Sequence, residues 1–137
     1  MAEGSVHLEL IESILQNVPN LIGAESLIFT DRPGESRDRK CPRINGFVPD
    51  VYAVQLRGDG KLIGEAKAAA DFFQPHTLAQ VRAFMDFLSF HPQATLVLAV
   101  PPRLLPAAKC LLRRAASERL DNIPRLLCCS PSFLIDA

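Results

Sequence analysis

An α/β fold is predicted by three observations. Apolar residues recur at helical spacing in three stretches of the chain, and between them lie segments of strand composition bounded by turn residues. The third is the unbroken run Ala94-Thr95-Leu96-Val97-Leu98-Ala99-Val100, stopped by Pro101-Pro102. Such a run suits a strand covered on both faces, in the middle of a sheet. A length of 137 residues suits one domain, 1–137, and a 48% hydrophobic content is enough to fill its core.

The elements follow in order. Val6, Leu10, Ile11, Ile14, Leu15 and Val18 form one helical stripe, with Pro19-Asn20 as its expected end. Val51 to Leu56 is rich in strand formers, Gly58-Asp59-Gly60 signals a turn, and Lys61 to Glu65 returns as the second arm of a β-hairpin. A two-residue Gly58-Asp59 turn would pair Arg57 with Gly60, Tyr52 with Glu65 and Asp50 with Lys67. A three-residue loop would turn Asp50 to the other face unless a bulge, or a bend after Pro49, restored it. Pro75 opens a second helix whose apolar positions are Leu78, Val81, Met85 and Leu88. The buried strand 94–100 comes next, then an amphipathic helix through Leu105, Ala108, Leu112, Ala115 and Arg119, and finally a strand from Arg125 to Cys129. The predicted order is helix, hairpin, helix, strand, helix, strand.

Formal net charge is zero, which argues against a nonspecific polycation, but the charge is uneven. The first thirty residues hold four acidic groups and no lysine or arginine. Arg32, Arg37, Arg39, Lys40 and Arg43 then crowd between Asp31 and Arg43 against Asp31, Glu35 and Asp38, in a Pro/Gly-containing loop. These five are the candidate phosphate contacts, able to give salt-sensitive affinity with little base specificity. The chain has no tryptophan and one tyrosine, so an extensive stacking platform for single strands is not expected. Met1-Ala2-Glu3 lacks the basic and apolar regions of a secretory signal, and no apolar run reaches membrane-spanning length, so a cytoplasmic protein without a membrane partner is expected. Cys41, Cys110, Cys128 and Cys129 show no paired metal-ligand spacing and are expected as reduced thiols.

Chemistry concentrates in Pro49-Asp50 and Glu65-Ala66-Lys67. Carboxylate oxygens are hard ligands that hold Mg²⁺ or Mn²⁺ while leaving positions for water and substrate, so Asp50 and Glu65 are the candidate metal ligands. A neighbouring ammonium, Lys67, can orient an attacking water or stabilise charge developing on a phosphoryl group. Strand alternation puts Glu65 and Lys67 on one face and turns Ala66 away. Together these groups are the minimal kit for metal-assisted phosphodiester hydrolysis.

These residues resemble the signature of the PD-(D/E)xK nuclease superfamily, with helix, hairpin and helix in the family's order. The resemblance covers most of the chain. Restriction endonucleases, small archaeal Holliday junction resolvases and stand-alone virus-type replication-repair nuclease domains share the pattern. It implies a restriction endonuclease-like three-layer core, a central mixed β-sheet flanked by helices, and metal-dependent cleavage of DNA on duplex or branched substrates. It also implies that the Ala66 backbone carbonyl joins Asp50 and Glu65 at the metal. Gln80, followed four residues later by Phe84, resembles the glutamine-x-x-x-aromatic element of several branches, which have tyrosine where this chain has Phe84. Members often add a polar group from the first helix. Of Glu3, His7, Glu9 and Glu12, the helical wheel favours His7, within the apolar stripe. A homodimer addressing both strands is expected for so small a chain, and the same fold could instead serve as a non-catalytic DNA-binding or assembly module, or as a nuclease subunit needing a targeting protein.

Overall fold

The computed structural model describes residues 2–32 and 39–137, without the side chains of Ala2 and Glu3. The first helix, α1 (Ala2–Ile22), buries Leu10, Ile11, Ile14, Val18 and Ile22 as the 3.6-residue period dictates. It does not stop at Pro19 but runs three residues further, to Ile22. The missing proline N–H forfeits only the bond to the Leu15 carbonyl, close to the helix end, and burial of Val18 and Ile22 outweighs that loss. Gly23, at φ 93°, ends the helix, and its N–H reaches the Pro19 carbonyl at 3.0 Å.

Among the described residues six strands follow: β1 (Ser26–Thr30), β2 (Val51–Gln55), β3 (Gly60–Ala66), β4 (Gln93–Ala99), β5 (Arg125–Ser130) and β6 (Phe133–Asp136). They form one mixed sheet in the order β1-β2-β3-β4-β5-β6, antiparallel at its edges and parallel from β3 through β5. Both β1 and β6 are additional to the strands expected from the sequence. The helices α2 (Ala69–Phe72) and α3 (Pro75–Leu88) link β3 to β4, and α4 (Leu105–Ser117) links β4 to β5. Two parallel crossovers stepping in one direction with one hand place their helices on one face. Accordingly α3 and α4 share a core with Ile63, Leu96, Leu98 and Cys128, whereas α1 covers the opposite face through Leu62, Ala66, Val97 and Leu127. The result is an α/β architecture with helices on both faces of the sheet. Among the described residues, no helix is long and apolar enough to cross a membrane.

The hairpin register differs from expectation. Val51 pairs with Gly64, Tyr52 with Ile63 and Val54 with Lys61, so the loop is four residues long, Leu56 to Asp59, rather than two. Gln55 Oε1 accepts the Gly60 N–H at 3.1 Å and closes this wider loop. The slip is by two residues, so the parity of the pleat survives: Tyr52 remains on the α3 face, and the ladder continued by one step sets Asp50 opposite Glu65.

At Gly64 α1 presses closely on the sheet, because a Cβ there would lie 2.6 Å from Ile14 Cγ2 and 3.3 Å from Val51 Cβ. Overpacking of this kind costs about 1–3 kcal/mol. Gly64→Ala is therefore expected to lower the unfolding free energy by about that amount in a urea titration. An unchanged midpoint would mean that α1 does not press on the sheet at this point.

Candidate active site

The site lies where β3 ends and β2 begins. Asp50 enters β2 from a bend after the buried Pro49, and its carbonyl accepts the Asp31 N–H at 3.0 Å, tying it to the end of β1. Its carboxylate is fixed by the backbone across the hairpin, where the Ala66 N–H donates to Asp50 Oδ2 at 2.8 Å. Reciprocally, the Asp50 N–H donates to Glu65 Oε1 at 3.2 Å. Lys67 follows β3, and its N–H bonds to the Ala99 carbonyl of β4 at 2.9 Å, so the chain is still held to the sheet there. Lys67 Nζ stands 3.8 Å from Glu65 Oε2. Asp50, Glu65 and Lys67 are thus gathered at one end of the sheet, whereas Ala66 packs its methyl on the α1 side.

Burial gives this cluster its electrostatic character. Glu65 is 3% exposed and Lys67 7%. Burial is the main cause that holds the Glu65 carboxyl well above the usual carboxylate range, and the nearby Asp50 carboxyl, within hydrogen-bonding reach, pushes it the same way. The Lys67 ammonium and the Asp50 N–H pull it down but do not win. Two crowded carboxyls beside one ammonium leave a deficit of positive charge, and their oxygens are the hard donors that Mg²⁺ and Mn²⁺ prefer. Asp50 and Glu65 are therefore the donors here that could hold a divalent cation. Among the described residues there is no group of three or more His, Cys, Asp and Glu side chains placed to hold a metal.

The remaining candidates are distributed as follows. His7 reaches the cluster from α1, its Nε2 lying 3.3 Å from Asp50 Oδ1, and is half-buried. Glu9 is exposed, Glu12 pairs with Arg32, and the Glu3 side chain lies outside the described residues. Gln80 sits on the buried side of α3 in line with Thr77 and Phe84, and its Oε1 is a buried acceptor without a partner. Of the basic loop, Arg32 is tied to Glu12, Lys40 Nζ donates to the Arg32 carbonyl at 2.9 Å and lies 3.9 Å from Asp31, and Arg43 donates to the Gly46 carbonyl at 3.0 Å. Arg39 is exposed, and Arg37 lies outside the described residues.

Two features escaped the sequence reading. Cys41 is buried within electrostatic reach of the site, and its thiol is pushed up to about 12, chiefly by burial and then by Asp31 and Asp50. That makes it an inert packing thiol; nothing in its spacing could have placed it there. A cavity of about 760 Å³ opens at the opposite end of the sheet between Ile22, Gly60, His91, Gln93 and Arg125, away from the carboxylates. The acidic cluster is the better candidate for metal-assisted chemistry, because no carboxylate lines the cavity. Comparison of the chain with protein-family models, with curated proteins and with solved structures gives no match.

Proposed function

We propose that this chain is a divalent-metal-dependent nuclease of restriction endonuclease-like fold and PD-(D/E)xK type, a cytoplasmic enzyme hydrolysing phosphodiester bonds in duplex or branched DNA. One observation carries the reading: Asp50, Glu65 and Lys67 converge at the open end of the β2–β3 hairpin, with Glu65 and Lys67 almost wholly buried. Burying charge in this way is costly, and a packed apolar cluster would serve stability better, so the arrangement points to chemistry. A bound Mg²⁺ or Mn²⁺ would polarise the phosphoryl oxygen and make hydroxide available from water near neutral pH. Asp50 and Glu65 supply its anionic ligands, and the Ala66 N–H fixes the rotamer of Asp50. Lys67 orients the attacking water and stabilises charge on the phosphoryl group. His7 steadies Asp50 Oδ1, and Gln80, whose buried Oε1 on α3 has no partner, would support the site as in the family it resembles.

The test is incubation of the purified protein with linear, single-stranded and branched DNA, with Mg²⁺ or Mn²⁺ and with chelator. Metal-dependent cutting that chelator abolishes is expected. Binding without cutting would instead make the chain a DNA-binding or assembly module, and cutting only after addition of a cellular partner would make it a subunit that needs a targeting protein.

The basic loop leads directly into Asp50 and would carry the DNA backbone. Arg39→Ala combined with Arg43→Ala is expected to weaken binding evenly across DNA sequences. The slope of log K against log salt should fall by about 2, one unit for each lost phosphate contact. An unchanged slope would remove this loop from the interface.

A further inference from the structure

The connections at the site end of the sheet suggest how substrate is chosen, an inference that rests on the nuclease reading above. In open α/β sheets ligands bind outside the carboxyl ends of the parallel strands, which here is the end holding Glu65 and Lys67. The first connection leaving that end runs from Lys67 through α2 to Phe73, a residue 69% exposed. Phe73 follows Lys67 by six residues, across the extended Ala68 and the four residues of α2.

This aromatic is held rather than loose. The Ala68 carbonyl, next to Lys67, accepts the N–H groups of Asp71 and Phe72 at 3.1 and 2.9 Å. The Asp71 carbonyl accepts the Gln74 N–H at 3.2 Å and the hydroxyl of the buried Thr77 at 2.8 Å. Phe72 is buried in the core, and the ring of Phe73 stands against it edge to face with centroids 5.0 Å apart. An anchored turn and a buried aromatic thus present a second aromatic to solvent, six residues beyond the lysine. The neighbouring connection, after β4, exposes Arg103 in the short turn Pro102–Leu104, so a strand passing over this end meets positive charge.

We propose that Phe73 stacks on an unpaired base next to the scissile phosphate, so that the preferred substrate is DNA with unpaired nucleotides at a branch or flap rather than continuous duplex. A base in intact duplex keeps both faces in the helix stack and offers none to Phe73, whereas an unpaired base offers a face that any aromatic can cover regardless of sequence. Arg103 contacts the backbone of the same strand.

The experiment is binding of two DNAs to the full chain, a flapped duplex carrying 2-aminopurine at its first unpaired position and the matching continuous duplex, measured in the cleavage-deficient Lys67→Met background with Mg²⁺. Phe73→Ala is expected to weaken binding to the flap by about 10-fold, the usual loss for one stacked base, to leave duplex binding within about 2-fold, and to abolish the fluorescence quench. Phe73→Trp should restore both. Phe90→Ala is the control, because Phe90 is more exposed, at 79%, but precedes β4 at the opposite end of the sheet; it should change nothing. Equal losses on flap and duplex, no loss from Phe73→Ala, or an equal loss from Phe90→Ala would overturn the inference. If metal-dependent cleavage by the wild type stands while Phe73→Ala is indifferent, only this inference fails. If the chain binds neither DNA, the nuclease reading fails with it.

Discussion

Lys67→Met is expected to lower metal-dependent DNA cleavage by about 10²–10³-fold while leaving the fold and DNA binding in place, the usual loss on removing one preorganised charge from a reacting oxygen. Methionine fills nearly the same space as the buried lysine stem, so the change isolates charge from packing. The ammonium stands 3.8 Å from Glu65 in surroundings almost closed to solvent, where it is much stronger electrostatically than at an exposed surface. Its loss also leaves the two carboxyls without their nearest cation. Metal affinity should accordingly hold or rise while turnover collapses, and single-turnover rates at saturating Mg²⁺ separate the two effects. Lys67→Arg tests geometry as well as charge: a planar guanidinium does not fit the slot of a compact ammonium, so it should rescue poorly. Cleavage by Lys67→Met at the wild-type rate would mean that the activity comes from a contaminant or that Lys67 has no part in it.

How far the sequence anticipated this arrangement depends on what each residue interacts with. Helix stripes were legible because Leu10, Ile14 and Val18, or Val81, Met85 and Leu88, report a local period. The strand 94–100 was legible because it is buried on both faces, and Pro101 ends it. The edge strands were not: β1 is only partly buried, and β6 is four residues long with Phe133 and Leu134 exposed, so neither leaves a clean alternation. Both exist because a neighbour offers a ladder, β2 for one and β5 for the other, and that is tertiary information. The end of α1 is not legible either, because Pro19 is a local stop signal whereas burial of Ile22, which carries the helix past it, is provided only by the sheet.

The site shows the same division. Types and spacing of Asp50, Glu65 and Lys67 were readable, as was the face shared by Glu65 and Lys67. The register that gathers them was not, since it turns on the Gln55 side chain closing a four-residue loop. The expected pairing of Asp50 with Lys67 gives way to Asp50 opposite Glu65, and an even slip spared the shared face where an odd one would have destroyed it. The hydrogen bond from the Ala66 N–H to Asp50 also lay beyond reach, because a backbone donor carries no sequence signature.

Glu65→Gln is expected to abolish cleavage and yet make the metal-free protein more stable, by a margin that grows with pH. Glutamine keeps the shape of the protonated acid and can donate to Asp50, but it never has to carry charge in a closed site. The sign follows from linkage. With the folded-state value raised above the ordinary 4.5, the native protein holds a proton that the unfolded chain has released, so stability falls as pH rises from about 4.5 through the raised value and then levels off. Near pH 4 the variant and wild type should therefore unfold at similar temperatures. Above the window the variant should lead by about 1–3 kcal/mol, the cost of an ill-compensated buried charge, which at this chain length is about 4 °C per kcal/mol. Added Mg²⁺ or Mn²⁺ should close the gap by stabilising wild type alone, since binding to the native state raises its unfolding temperature and competes with the proton on Glu65. Thermal melts of both proteins from pH 4 to 9, with cation and with chelator, make the comparison. Wild type that is the more stable protein at high pH without metal would show that Glu65 is a satisfied structural ion pair with Lys67, and the case for a cation site between Asp50 and Glu65 would go with it.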